Sequence, residues 1–246
     1  ALESFKKSIT LYDAIGDTTR VIAIEANIGN LYLQKGEYQK AIPLYERIVA
    51  DARQKNDQQK LGLNIFNLGI VNTKLGNYPK ALNHLYEASE IHKSQNNQLH
   101  WVKSQNEIGL IFRRLEMLDE AISLYQPALK IVEELDNKNL VASISNNLGL
   151  CYFRKGQFEK ALDCFNTSLK IRQSLKISNV GHILNNIGST YEALNKNEQA
   201  LNFYNRALET NIQLNLENKA ALDWSDLGQF NLKKENYPES EKCLLN

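Results

Sequence analysis

The chain contains few residues that could support catalysis or metal binding, and their spacing favours neither. Its cysteines, Cys151, Cys164 and Cys243, form no CxxC pair and no even disulfide framework. The four histidines have no metal-ligand spacing with these cysteines, and no P-loop, GxSxG or HExxH motif occurs. We therefore expect a protein that is not an enzyme and that has no catalytic residue, metal or cofactor.

Asparagine and the basic side chains are the residues that could recognise a ligand. The chain has 29 asparagines in 246 residues. An asparagine amide both donates and accepts hydrogen bonds, which suits the backbone of an extended peptide. Arginine binds carboxylates through two parallel hydrogen bonds. The net charge of +1 argues against bulk attraction to nucleic acid or to acidic lipid.

A repeated segment positions these residues. The stretch NNLGLCYFRKGQFEKAL, residues 146–162, recurs with a glycine at successive spacings of 40, 40, 40, 39 and 40 residues. The glycines are Gly29, Gly69, Gly109, Gly149, Gly188 and Gly228. A small residue lies twelve positions after each glycine, at Ala41, Ala81, Ala121, Ala161, Ala200 and Ser240. A fixed period in this range predicts a stacked array of repeats.

Each repeat has the pattern of two helices joined by a turn. In the first copy, apolar residues at helical spacing flank a turn near residue 35. Gly29 and Ala41 lie at equal distances from this turn, so we expect them to face each other and to let the two backbones approach closely. The closer contact offsets the cost of a helical glycine, about 1 kcal/mol relative to alanine. The single shorter spacing predicts a deletion in the linker near Lys176–Ser178, because loops tolerate deletions.

These six copies resemble the tetratricopeptide repeat family. The matching features are Leu-Gly, a tyrosine, a glycine at the turn, an alanine, and an aromatic residue or leucine four positions later. This last slot holds Tyr45, Leu85, Tyr125, Phe165, Tyr204 and Leu244. The longer period is similar to that of kinesin light chains, Leu-Gly-Asn-repeat adaptors and bacterial regulators and sensors with these repeats. The resemblance implies an all-α fold, a right-handed superhelical solenoid of antiparallel helix hairpins.

We expect a single solenoid over residues 1–246. It comprises a partial repeat 1–16, repeats 17–56, 57–96, 97–136, 137–175 and 176–215, and a partial repeat 216–246. Both ends fall inside a repeat, so we expect the array to be a fragment of a longer chain.

The resemblance also implies where a ligand binds, because the concave groove of such a solenoid is lined by the first helix of each repeat. The slots two and three positions before each helical glycine hold asparagine at seven of twelve positions. The candidate groove residues are Asn27, Asn67, Lys74, Lys103, Asn106, Arg113, Arg114, Asn146, Asn147, Phe153, Arg154, His182, Asn185 and Asn186. Two interpretations remain open. For the asparagines, either they form a ladder that pairs with a ligand backbone, or they are a solvated face inherited by duplication. For the basic residues, either they dock an acidic segment, or their long side chains cover exposed helix.

The leading functional hypothesis is a protein–protein interaction scaffold that binds an extended, acidic peptide or partner segment in this groove. One alternative is a sensory or regulatory arm of a larger signalling protein, such as a histidine kinase or transcription regulator. The other is a self-assembly module that associates through open array ends. We expect a cytoplasmic protein with no nucleic-acid partner, and with no membrane span because no apolar run approaches the roughly 18 residues required.

Overall fold

The computed structural model describes residues 2–235 and 237–244, with side chains described for all of these except residues 237, 238 and 244. The expected packing slot at Leu244 therefore lies outside the described side chains. Within the described residues the secondary structure consists of thirteen α-helices and no strand. The chain divides into two compact units, a first unit up to Met117 and a second unit from Leu118 onward.

The first unit contains six helices. Their bounds are α1 Leu2–Ala14, α2 Thr18–Lys35, α3 Tyr38–Gln54, α4 Gln58–Lys74, α5 Tyr78–Ser94 and α6 Gln98–Arg114. Helices α2 and α3 pack as a hairpin, as do α4 and α5, and each hairpin packs on the next helix along the chain.

The second unit contains the remaining seven helices. Their bounds are α7 Leu118–Glu134, α8 Lys138–Arg154, α9 Phe158–Ser174, α10 Gly181–Ala193, α11 Asn197–Gln213, α12 Glu217–Lys233 and α13 Tyr237–Leu244. The hairpins are α8 with α9, α10 with α11, and α12 with α13. Within each unit the predicted all-α arrangement of helix hairpins is confirmed.

The first helices begin at side-chain caps that recur with the repeat. Asp17, Asp57, Asn97 and Asn137 precede α2, α4, α6 and α8, and each side chain accepts a hydrogen bond from the backbone N–H three residues on. Such a cap satisfies one of the backbone donors left unpaired at a helix start. Val180 precedes α10 without a side-chain cap, and α10 has 13 residues where α8 has 17. The linker 175–180 is longer than the linker 135–137 that precedes α8, although the glycine spacing here is one residue shorter, because α10 lacks the first turn of the helix.

The repeating glycine has a closer neighbour than the small residue expected to face it. A Cβ atom built on Gly149 would lie 2.6 Å from Phe165 Cε1, and one built on Gly69 would lie 2.6 Å from Leu85 Cγ. The closest neighbour in these two repeats is therefore the aromatic residue or leucine four positions beyond the alanine. The small residue also lies near the glycine, since a Cβ on Gly69 would lie 3.5 Å from Ala81 O and Ser240 Oγ donates to Gly228 O at 2.9 Å. Helical side chains lean toward the preceding turn, which places this ring or branched chain over the glycine. Ala161 is nonetheless fully buried.

Replacing Gly149 with alanine is expected to destabilise the second unit by about 1–3 kcal/mol, the usual cost of overpacking a core. Helix propensity alone predicts the opposite sign, a gain of about 1 kcal/mol. Denaturant unfolding followed by circular dichroism measures the difference. The Phe165→Ala background is the control, because removal of the ring should abolish the penalty in a double-mutant cycle. A stabilised Gly149→Ala variant would refute the packing explanation.

A second glycine slot makes room for polar side chains in the interior. His92 and Asn211 occupy equivalent positions of α5 and α11, and each is only 1% exposed. A Cβ on Gly62 would lie 2.9 Å from His92 Cε1, and one on Gly181 would lie 2.6 Å from Asn211 Nδ2. The large interior polar group is thus matched by the smallest residue on the facing helix.

Candidate functional site

The first helices of each unit present a polar surface, which we call the first-helix face of that unit. In the first unit it consists of Asn27, Asn67, Lys74, Lys103, Asn106, Glu107, Arg113 and Arg114. In the second unit it consists of Asn146, Asn147, Phe153, Arg154, His182, Asn185, Asn186, Glu192, Asp226 and Lys233. These sets contain all fourteen residues predicted from the sequence.

The face of the first unit is basic around one carboxylate. Lys74 and Arg114 are exposed at the ends of α4 and α6, whereas Lys103 and Arg113 are partly buried. Burial raises the pKa of Glu107, and the charges of Lys74 and Arg114 oppose this rise. The Asn106 amide donates to Glu107 Oε1 at 3.3 Å. Lys74, Glu107 and Arg114 are thus brought together, with the acid lying between cations of two successive repeats.

The amide slots of the first unit differ in exposure. Asn27 is exposed on α2, whereas Asn67 on α4 and Asn106 on α6 are partly buried. The Asn106 amide donates a hydrogen bond to Glu107, so it helps to stabilise the negative charge of that carboxylate.

In the second unit two of the predicted amides meet across neighbouring repeats. Asn186 Nδ2 on α10 donates to Asn146 Oδ1 on α8 at 3.2 Å. Both side chains are partly buried, as is Asn147 beside them. Phe153 and Arg154 lie at the end of α8, and Arg154 is exposed. His182 is exposed at the start of α10, one helical turn before Asn186.

Asn185 is held by a buried carboxylate that the sequence did not single out. Asp223 on α12 is only 2% exposed. Its Oδ1 accepts from Asn185 Nδ2 at 2.5 Å, and its Oδ2 accepts from Asn211 Nδ2 at 2.6 Å. Burial raises the pKa of Asp223, and the two amide hydrogen bonds act against that rise. Asn185 therefore ties α10 to α12 as well as lining the face.

A cavity of about 480 Å³ opens on the face of the second unit. Its lining includes Phe153, Glu192, Tyr204, Asp226, Phe230 and Lys233. Glu192 Oε2 accepts a hydrogen bond from the Tyr204 hydroxyl at 2.8 Å, and Glu192 Oε1 pairs with Lys233 at 2.9 Å. The Tyr204 and Phe230 rings meet edge to face at 5.7 Å between centroids. The arrangement combines carboxylates with aromatic walls.

Sequence reasoning missed the acidic members of this site because it followed the recurring asparagines. Asp226 occupies the slot that holds Asn147 and Asn186 in the preceding repeats. Ala193 occupies the slot that holds Lys74, Arg114 and Arg154 in earlier repeats. Both departures from the repeat pattern were visible in the sequence, and together they mark the cavity.

The cysteines show no sign of reactivity. Cys151 and Cys243 are buried, and Cys164 is partly buried. Burial, followed by the nearby Asp163 charge, raises the pKa of the Cys164 thiol to about 11, so it is protonated at neutral pH. Over the described residues no cluster of three or more His, Cys, Asp or Glu side chains could hold a metal ion. No helix in that part of the chain has both the length and the apolar character needed to cross a membrane.

Models of the tetratricopeptide repeat family match residues 23–59, 102–174 and 181–211, which together make up more than half of the chain. The chain belongs to this family, and the resemblance predicted from the sequence is confirmed. A comparison with curated proteins finds no match.

Solved structures share the fold at low sequence identity. BtubC (BKLC) from P. vanneervenii is 23% identical with a TM-score of 0.74, over 87% of this chain and 90% of that chain. A signal transduction ATPase (STAND) protein with a tetratricopeptide repeat sensor, from Pyrococcus horikoshii, is 19% identical with a TM-score of 0.77, over 95% of this chain and 38% of that chain. The Rap conjugation gene regulator of plasmid pLS20, in complex with the Phr* peptide, is 19% identical with a TM-score of 0.68, over 91% and 62%.

Proposed function

We propose that this protein is an interaction scaffold that binds an extended peptide segment on its first-helix faces. The observation that carries the proposal is the recurrence of carboxamides at equivalent slots of successive first helices. Asparagine is a poor residue for a helix interior, so its persistence there calls for a reason other than helix stability. The contact between Asn186 and Asn146 brings amides of adjacent repeats within hydrogen-bonding distance. A row of such groups can pair with the donors and acceptors of an extended backbone.

The likeness to a peptide-bound protein supports the same proposal. The Rap regulator of pLS20 was solved in complex with the Phr* peptide. That regulator shares its fold with this chain, and we propose that this protein also binds a peptide.

The charge of the first unit favours an acidic segment as its ligand. Lys74 and Arg114 lie near Glu107, and Lys103 and Arg113 add two further positive charges to the first helices of this unit. Arginine can grip a ligand carboxylate with two hydrogen bonds, and lysine adds a point charge. We propose that this unit docks acidic side chains or a C-terminal carboxylate. Its binding should weaken with salt, because contacts between exposed charges are screened.

Joint replacement of Asn147 and Asn186 by alanine is expected to weaken peptide binding by about 0.5–1.5 kcal/mol for each neutral hydrogen bond lost. The fold should survive, because alanine is the better helix former. The ligand for this test is a peptide selected from a random display library against the wild-type protein. Calorimetry then gives its affinity for the wild type and for the variant.

The matched control is the pair Asn166→Ala and Asn205→Ala. These two asparagines lie at equivalent, exposed positions of the second helices α9 and α11. The control should bind the selected peptide as tightly as the wild type does. Equal affinity for the face variant and the wild type would place binding on another surface and overturn the proposal.

A regulatory arm of a larger signalling protein is the second candidate function. It is favoured by the fold shared with the STAND protein, whose repeat region is named a sensor. In this case the peptide would be a signal whose binding changes an attached activity. The two candidates differ in one measurable respect. A regulatory arm requires the peptide to alter the activity of a domain joined to the array, whereas a scaffold requires only binding.

A further inference from the structure

The cavity of the second unit lies where a repeat departs from its own pattern. In most repeats a long basic side chain follows the helical glycine by five positions, as at Lys74, Arg114, Arg154 and Lys233. In the repeat that contains α10, this position is Ala193, which borders the cavity. Alanine leaves open the space that a lysine or arginine would fill.

The first unit shows what the missing cation does. Glu107 and Asp226 occupy the same slot of the repeat, two positions before the helical glycine. Glu107 is stabilised as a carboxylate by Lys74 from the preceding repeat and by Arg114 from its own. For Asp226 the corresponding residues are Ala193 and Lys233. The acid of the second unit therefore lacks the cation that the preceding repeat supplies in the first unit.

The remaining cation near Asp226 is already engaged. Lys233 Nζ pairs with Glu192 Oε1 at 2.9 Å. Asp226 accepts a long hydrogen bond of 3.4 Å from Asn185 and makes no ion pair within the described part of the chain. Desolvation of the carboxylate at the cavity wall, and then the charges of Asp223 and Glu192, raise the pKa of Asp226. The cavity lining thus contains two carboxylates, Glu192 and Asp226, and one lysine, and a cation placed in the cavity would relieve the repulsion between the two acids.

The other walls suit the stem of a long basic side chain. Phe153 and Phe230 line the cavity together with Tyr204. Aromatic rings pack against the methylene groups of lysine and arginine, and their faces attract the cation. An acidic ligand side chain would meet the carboxylates of Glu192 and Asp226 instead. The lining therefore selects for charge as well as for length.

We propose that this cavity binds a lysine or arginine side chain of the peptide, and that the ligand's cation takes the place of the basic side chain absent at Ala193. The inference rests on the proposed peptide-binding function in that the side chain belongs to the bound peptide. It adds a specificity subsite to the second unit. The required partner carries a basic residue at this point, even though the face of the first unit favours an acidic segment.

The test uses short probes that contain one variable side chain. Acetylated and amidated Gly-Lys-Gly and Gly-Arg-Gly are titrated into the isotope-labelled full chain and compared with Gly-norleucine-Gly and Gly-Glu-Gly. We expect saturable shifts of the backbone amides of Asp226, Gln229 and Lys233 with the two basic probes, in the millimolar range typical of weak fragments. The norleucine and glutamate probes should bind at least about tenfold more weakly, a difference of about 1.4 kcal/mol.

Two substitutions complete the test. Ala193→Lys supplies the missing cation from the chain itself and should abolish the shifts caused by the basic probes. Asp226→Asn keeps the shape of the cavity and should weaken those probes about tenfold. Asn202→Lys, at an exposed position of α11, is the control for added charge and should leave the titration unchanged.

The proposal is overturned if norleucine binds as well as lysine, if no probe shifts these amides, or if Ala193→Lys leaves lysine binding intact. These failures are distinct from a failure of the proposed function. The probes carry a single side chain and do not need the asparagine ladder, whereas the selected peptide of the preceding test does. A selected peptide that loses affinity in the Asn147 and Asn186 variant but not in Ala193→Lys would keep the scaffold and refute the subsite.

Discussion

Replacement of Asp223 by alanine is expected to destabilise the second unit by about 2–4 kcal/mol. The carboxylate is buried and accepts hydrogen bonds from both Asn185 and Asn211. Its removal leaves the Asn211 amide, which is only 1% exposed, without this acceptor, and leaves Asn185 with only its 3.4 Å hydrogen bond to Asp226. A buried donor that loses its partner costs about 1–3 kcal/mol. Denaturant unfolding monitored by circular dichroism gives the change in free energy of unfolding.

Asp226→Ala is the matched control, because this acid lies three residues further along the same helix and is exposed. Its removal should change stability by no more than about 0.5 kcal/mol, as is usual for surface substitutions. Equal costs for the two substitutions would show that the Asp223 network does not hold α10, α11 and α12 together.

Acidification is expected to destabilise the first unit through His92. Burial, and then the nearby charges of His100 and Lys103, lower the pKa of His92 to about 4, against an ordinary value of 6.5. Neither ring nitrogen has a hydrogen-bond partner among the described residues. The folded state therefore binds this proton more weakly than the unfolded state does. Its stability is complete above about pH 6.5 and falls toward pH 4, by roughly 3 kcal/mol in total.

His92→Asn is the control for this prediction. The equivalent slot of α11 holds Asn211, packed against a glycine just as His92 is, so asparagine has a precedent at this position. The variant should show a flatter dependence of unfolding free energy on pH between 6.5 and 4. Proton NMR of the His92 ring measures the pKa directly. A titration near 6.5, or an unchanged pH profile in the variant, would contradict the assignment.

The repeat determined how much of the fold could be predicted. The spacing of the glycines and the apolar pattern on either side of the turn were sufficient for the helix hairpins. They were not sufficient for the contact of Gly149, because the direction in which Phe165 leans depends on helix geometry rather than on distance from the turn. The shortening of α10 was missed for a related reason. The deletion was placed in the loop, whereas the following helix is the element that lacks its cap and its first turn.

The site could be predicted only in part. The amide slots lie on the first helices as expected, and whether they bind a ligand remains a prediction. The acids Glu192, Asp223 and Asp226 were missed, because the search followed residues that recur and these do not. The hydrogen bond from Asn185 to Asp223 joins residues 38 positions apart. Such a contact depends on how two helices pack, which the repeat pattern alone does not specify.

Site-specific crosslinking tests the central claim, peptide binding on the first-helix face, most directly. A photoreactive phenylalanine analogue replaces Gln229, an exposed residue that lines the cavity, or Asn205, an exposed residue of α11. Each protein is irradiated with a peptide selected against the wild type, and the adducts are located by mass spectrometry. We expect a crosslinked peptide from position 229 and none from position 205. Crosslinking from position 205 alone would contradict the account and assign binding to the second helices.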